Sequence, residues 1–182
     1  MNYSECIENA RTRIGNYCKA CPECNGRACK NQMPGPGAKG IGDTAIRNYD
    51  KWKEIRVQMD TIVENKPVDT SLELFGKKFL YPFFAGPVGA VGLHYGDCLD
   101  DVRYNDILVS ACAKYGIAAF TGDGLDSNVM VAATKAIGKT DGIGIPTVKP
   151  WNIDTVAEKM KMVQESKAFA VAMDVDAAGL PF

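Results

Sequence analysis

From Asp100 onward, stretches with apolar residues at helical spacing alternate with short, almost continuously apolar runs. The first helical stretch, Asp100 to Tyr115, places Ile107, Leu108, Ala111, Cys112 and Tyr115 on one face, and Gly116 is its stop signal. The run IAAFT, Ile117 to Thr121, reads as a buried strand that ends in Gly122-Asp123-Gly124. A helix from Ser127 to Ile137 follows, with Asp126 or Ser127 as its cap, and then a strand from Gly142 to Thr147. The next helix, Thr155 to Ser166, has Asp154 before it and Glu158 within its first turn, and a strand from Phe169 to Val175 follows it. Upstream of this series, LELFGKKFLYP reads as a hairpin turning at Gly76. It runs into a buried strand, Phe83 to Gly86, whose tip is Pro87-Val88-Gly89.

Short apolar strands alternating with helices are the signature of an α/β fold, a parallel sheet covered by helices. About four βα units are visible, and each strand ends in small or polar residues: Pro87 and Gly89, Thr121 and Gly122, Thr147 and Lys149, Asp174 and Asp176. In a βα barrel those ends converge on the active-site face. The tip at Pro87-Val88-Gly89 is either a ligand floor or an ordinary turn. A closed barrel takes roughly 250 residues, so the expected fold is a partial (β/α)8 TIM barrel: a truncated chain, or one completed by self-association or by a chain carrying the C-terminal half.

The N-terminal region follows another pattern. Residues 4–16 suggest a helix, residues 18–42 are rich in cysteine, glycine and proline, and Asp43 to about Met59 again has helical spacing. The expected division is therefore residues 1–42, a helix and cysteine-rich loop, and residues 43–182, the partial barrel.

The 182 residues are 46% hydrophobic and 24% charged, with a formal net charge of −1. That balance gives no electrostatic case for nucleic acid or an anionic membrane. No apolar run approaches the roughly 20 residues that span a bilayer, and the N-terminus lacks the apolar segment of a signal peptide. A cytoplasmic protein is expected. In a reducing compartment, clustered cysteines favour metal or redox chemistry over disulfides. Four of the seven, Cys18, Cys21, Cys24 and Cys29, have the spacing C-x2-C-x2-C-x4-C. This is close to the ferredoxin run C-x2-C-x2-C-x3-C, and suits a [4Fe–4S] cluster or a tetrahedral zinc. Free thiols, or a redox-labile pair of Cys18 and Cys21, are the alternatives.

The run DTSLELFGKKFLYPFFAGPVG, Asp69 to Gly89, resembles the first-strand region of the FMN-dependent α-hydroxy-acid oxidases and dehydrogenases, the glycolate and lactate oxidase family. GIAAFTGDG, GIGIPTVKPW and FAVAMDVDAAG are similar to that family's next three strands, so the resemblance covers roughly residues 43–182. It implies that Pro87, Val88 and Gly89 lie along the flavin and that Gly122 approaches the ring. Thr147 replaces a glutamine at the flavin pyrimidine edge, and Asp174 replaces a threonine near the same ring. Asp176 matches the aspartate that hydrogen-bonds the catalytic histidine. Lys149 stands where the family has a substrate-contacting tyrosine, and a cation there suits a carboxylate. The family's catalytic Lys, His and Arg come from later strands.

The resemblance thus implies part of an FMN-dependent oxidoreductase that passes hydride from a small 2-hydroxy acid to flavin. The isolated chain is expected to bind FMN poorly and to be inactive. A barrel similar to that of type 2 isopentenyl-diphosphate isomerase, and a non-catalytic half-barrel or metal-binding subunit, are the alternatives. Two acids on one strand face, Asp174 and Asp176, suit a polar site. His94, the single histidine, reads as a surface loop residue. Cys98 and Cys112 read as small core residues, and Trp52 and Trp151 as packing at layer edges.

Overall fold

The computed structural model describes residues 2–15, 17–30 and 43–175. The chain divides into two compact units, one of residues 1–68 and 92–98, the other of residues 69–91 and 99–182.

The first unit holds helices α1 (Tyr3–Arg11) and α2 (Thr44–Trp52). A capping box starts α1: the Asn2 side chain accepts from the Glu5 amide, and the Glu5 carboxylate accepts from the Asn2 amide. Both helices are shorter than their spacing predicts, ending at Arg11 rather than residue 16 and at Trp52 rather than Met59. Ile55, Val57 and Met59 continue the apolar pattern but are exposed. Spacing without a surface to pack on does not hold a helix in water. Neither helix buries a residue. The cysteine loop is tied to α1 instead: the Tyr3 hydroxyl donates to the Pro22 carbonyl at 2.9 Å, and Arg11 Nε donates to the Ala20 carbonyl at 3.2 Å.

The second unit opens with the predicted hairpin, β1 (Leu72–Leu74) paired antiparallel with β2 (Lys77–Phe79). Its two loop residues, Phe75 and Gly76, have φ of 48° and 74°, the left-handed pair of a type I′ turn. Phe79 is buried and stacks edge-on against Phe84, with ring centroids 5.0 Å apart.

The predicted buried strand over Phe83 to Gly86 does not form. Phe83 is exposed, and the segment joins the parallel series only through a bridge between Ala85 and Ala119. Two backbone bonds make that bridge, from Ala85 N to the Ala118 carbonyl and from Phe120 N to the Ala85 carbonyl. Pro82 and Pro87, which have no amide proton to give, flank the segment and shorten any ladder.

Helix α3 (Val91–Tyr95) follows, so His94 sits on a short helix rather than in a loop. Beyond it, α4 (Asp101–Lys114), β3 (Phe120–Thr121), α5 (Ser127–Lys139), β4 (Ile145–Val148), α6 (Ile153–Glu165) and β5 (Ala172–Met173) occur in the predicted order. The three strands form a parallel sheet in the order β3-β4-β5, with Phe120 opposite Ile145 and Thr147 opposite Ala172.

The core lies between α4, α5 and β3, where Val109, Cys112, Ala119, Ala136 and Ile137 pack together. The face α4 buries is Asn105, Val109 and Cys112, turned from the expected one. Leu108 packs at its edge, while Ile107 and Tyr115 are exposed. Asp126 caps α5 as expected, Asp100 caps α4, and α6 is capped by Asn152, whose side chain accepts from Thr155 N at 3.0 Å. Among the described residues no helix is long and apolar enough to cross a membrane.

Candidate functional site

The ends of the parallel strands are joined by one buried carboxylate. Asp123 follows β3, and its side chain is 0% exposed. One of its oxygens, Oδ1, accepts from Gly124 N at 2.9 Å and from the Lys159 ammonium of α6. The other, Oδ2, accepts from Lys149 N at 2.9 Å and from Trp151 Nε1 at 2.7 Å. Four donors saturate the carboxylate, which is the condition under which a buried charge is tolerated. Lys159 is itself 7% exposed and lies over the Trp151 ring, 5.3 Å from its centroid.

This arrangement fixes the segment after β4, and that segment presents Lys149. Its ammonium pairs with Asp174 Oδ2 at 3.0 Å, just past β5, and both side chains are largely buried. Asp174 is held in turn by a bond from its amide to the Val148 carbonyl. A continuous polar chain thus runs from the β3 tip through the β4 tip to the β5 tip. Thr147 in β4, two residues before Lys149, has a buried hydroxyl with no hydrogen-bond partner among the described residues. Thr121 in β3 has another. Buried hydroxyls without partners are uncommon in folded proteins and call for a partner.

The glycines at the tips serve close approach of backbone to backbone. A Cβ on Gly122 would lie 2.3 Å from Gly89 N and Val88 C, and one on Gly89 would lie 2.7 Å from the Asp123 carbonyl. Gly89 and Gly122 therefore let the first two tips close on each other. Val88 and Gly89 are half-buried there and Pro87 is exposed.

Of the residues singled out from sequence, Pro87, Val88, Gly89 and Gly122 come together at one pair of tips. Thr147, Lys149 and Asp174 come together at the next. Asp176 lies outside the described residues. Sequence reasoning missed Asp123 and Lys159 and gave Trp151 a packing role alone. One signal was available: Lys159 lies four residues before buried Val163 and is buried with it, a lysine on the inward face of its helix.

The cysteines belong to the other unit. Burial pushes the Cys24 thiol above its usual range, and the neighbouring Cys29, Cys18 and Cys21 push it further. Burial likewise raises the Tyr95 hydroxyl, with Cys18, Cys24 and Cys29 adding to the effect. Among the described residues, no group of three or more His, Cys, Asp or Glu side chains is arranged to hold a metal ion.

A family model described as FMN-dependent dehydrogenase matches residues 35–181. The chain belongs to the FMN-dependent dehydrogenase family. Membership makes it an oxidoreductase-family chain with an FMN-type domain. No curated protein matches the chain.

The donor set at the tips fits a flavin. Thr147 offers an unpartnered hydroxyl and Lys149 a cation. Val88 and Gly89 offer half-buried backbone. A flavin has carbonyl oxygens and ring nitrogens along one edge, and a nearby positive charge favours its reduced, anionic form.

Proposed function

We propose that the strand tips of this chain form the pyrimidine-side wall of an FMN site in a (β/α)8-type barrel, and that the flavin accepts hydride from a small 2-hydroxy acid. The observation that carries this reading is the unpartnered Thr147 hydroxyl beside the Lys149–Asp174 pair, at the ends of neighbouring parallel strands in an FMN-dependent dehydrogenase domain.

When bound, FMN supplies the hydride acceptor. The chain's own residues orient and polarise. Thr147 donates its hydroxyl proton to an acceptor on the flavin edge. Lys149, fixed through its amide by Asp123, holds positive charge at that edge or at a substrate carboxylate. Asp174 sets the position of that ammonium and limits its net charge. Val88 and Gly89 offer backbone to the ring. Asp176 retains its proposed part, holding a histidine base in its charged form. These tips bind and polarise, and the sequence's one histidine, His94, lies on α3. The flavin reading is independent of what the four cysteines hold.

An FMN titration followed by flavin absorbance and fluorescence tests this. The chain is expected to perturb the flavin spectrum with a dissociation constant weaker than about 10 μM. Lys149→Met is expected to weaken binding about tenfold, the scale of one charge-assisted hydrogen bond. Anaerobic glycolate or lactate is expected not to bleach the bound flavin. Equal binding by wild type, Lys149→Met and Thr147→Val would contradict the wall. Bleaching by a 2-hydroxy acid would contradict the division between binding and proton removal.

A second reading follows from Lys149, whose cation also suits a diphosphate. A flavoenzyme similar to type 2 isopentenyl-diphosphate isomerase would need reduced flavin and would respond to a diphosphate substrate with no net oxidation.

A further inference from the structure

The connector from Lys149 to Asn152 joins β4 to α6 and carries the cation of the strand-tip wall. Its backbone is fastened at several points. The Val148 carbonyl just before it accepts from Asp174 N at 2.9 Å, and Trp151 N donates to the Lys149 carbonyl at 2.8 Å. Pro150 fixes its own φ and has no amide to place. Asn152 closes the connector as the cap of α6. Lys149 N and Trp151 Nε1 both donate to one atom, Asp123 Oδ2.

Lys159 completes the arrangement from α6. Its ammonium donates to the other oxygen, Asp123 Oδ1, and lies over the Trp151 ring. The connector and the helix after it therefore hold the two oxygens of one carboxylate. A buried anion needs a counter-charge, and Lys159, itself buried, supplies it. Without that ammonium the carboxylate would be left buried with amide and indole donors alone. It would turn toward another partner, and both connector bonds on Oδ2 would move with it. Lys159 also balances the charge of Asp123, which leaves the Lys149 ammonium to Asp174 and to a ligand.

We propose that Lys159 and Trp151 are positioning residues for Lys149. Acting through Asp123, they fix the backbone from which the Lys149 side chain reaches. Only side-chain torsions are then left to carry its ammonium from Asp174 to a flavin edge or a substrate carboxylate. A contact group held in place before binding has less freedom to lose on binding. Lys159 is buried with its ammonium on a fully buried carboxylate, so it works through these bonds and not by touching the ligand. What Lys149 reaches rests on the flavin reading, whereas the hold of α6 on its backbone does not.

The test uses the full chain and hydrogen exchange read at the Lys149 and Trp151 amides. Lys159→Met is expected to speed their exchange about tenfold or more, the scale of a lost charge-assisted hydrogen bond. Lys159→Arg, which keeps the charge, is expected to stay within about threefold of wild type. So is Lys161→Met, a change at an exposed lysine of the same helix. Trp151→Phe keeps a ring under Lys159 and removes the indole donor, and is expected to speed the Lys149 amide about threefold to tenfold. Protection of α4 and α5 reports whether each variant is folded, and where Lys159→Met loses it, Trp151→Phe decides. An FMN titration is the second readout. Lys149→Met with Lys159→Met is expected to bind no more weakly than Lys149→Met alone, because both cut one path. Losses that add would overturn the proposal, as would a Lys149 amide equally protected in wild type, Lys159→Met and Trp151→Phe. If the wild-type chain binds no FMN, the flavin reading fails, and the exchange result by itself decides whether α6 holds Lys149.

Discussion

The two units of this chain present their apolar residues in opposite ways. In the second, Val109, Cys112, Ala119, Ala136 and Ile137 close on one another between two helices and a strand, and the polar groups left inside are mostly satisfied by a four-donor carboxylate. In the first, tyrosine, tryptophan, isoleucine and valine side chains stay outside, and among its described residues only Ala20 is a buried apolar residue, beside carbonyls held by the Tyr3 and Arg11 side chains. Hydrophobic composition alone does not make a core. The second unit has surfaces that bring its apolar stripes together, and the first has two nine-residue helices with no facing layer among the described residues.

The sharpest way to break this comparison is to remove the carboxylate at the centre of the second unit. Asp123→Ala leaves the Lys159 ammonium buried without its partner, a loss of about 3–5 kcal/mol. Urea unfolding followed by circular dichroism is expected to show that loss. If Asp123→Ala were as stable as wild type, the polar chain between the strand tips would have no structural weight. Gly122→Ala comes next. The added methyl would overlap the backbone of Val88 and Gly89, and overpacking of this kind costs about 1–3 kcal/mol. FMN binding is expected to weaken with it, because the first two tips are forced apart.

The third effect is one of pH. Burial raises the Cys112 thiol above its usual range. The unfolded chain therefore loses that proton first as pH rises. The stability the buried thiol contributes is complete below the ordinary thiol pKa and is lost as pH rises through the raised folded value. Cys112→Ala is expected to flatten the alkaline limb of stability against pH. An unchanged limb would assign that loss to other groups. The smallest effect belongs to the first unit. Trp52 is 75% exposed on α2, and Trp52→Ser is expected to change stability by less than about 0.5 kcal/mol. A cost well above that in the same urea experiment would mean that α2 packs its apolar face after all.

How much of this was legible in the sequence follows the same division. Asp126 announced α5, because an N-cap acts on residues two or three along the chain. The order of helices and strands from Asp100 onward, and the hairpin at Gly76, were legible for the same local reasons. Strand lengths were not. A run such as FAVAMDV is apolar at six of its seven positions, but only Ala172 and Met173 are paired as strand, because pairing depends on the neighbour. The site divides similarly. Gly122, Thr147, Lys149 and Asp174 were singled out because strand ends are visible. Asp123 was passed over because three of its donors, Lys149, Trp151 and Lys159, lie 26 to 36 residues away. Nothing local marks such a convergence. In the N-terminal region, helical spacing extended α2 to Met59 in expectation, since spacing is blind to whether a facing surface exists.

The most direct test of the account is peptide-resolved hydrogen exchange of the full chain with and without saturating FMN. Slower exchange is expected in the segments that carry the tips, residues 86–91, 121–124, 147–151 and 172–175, with residues 3–30 unchanged. Protection that falls on the cysteine unit instead, or no protection at the strand tips, would contradict the assignment of the flavin wall to the second unit.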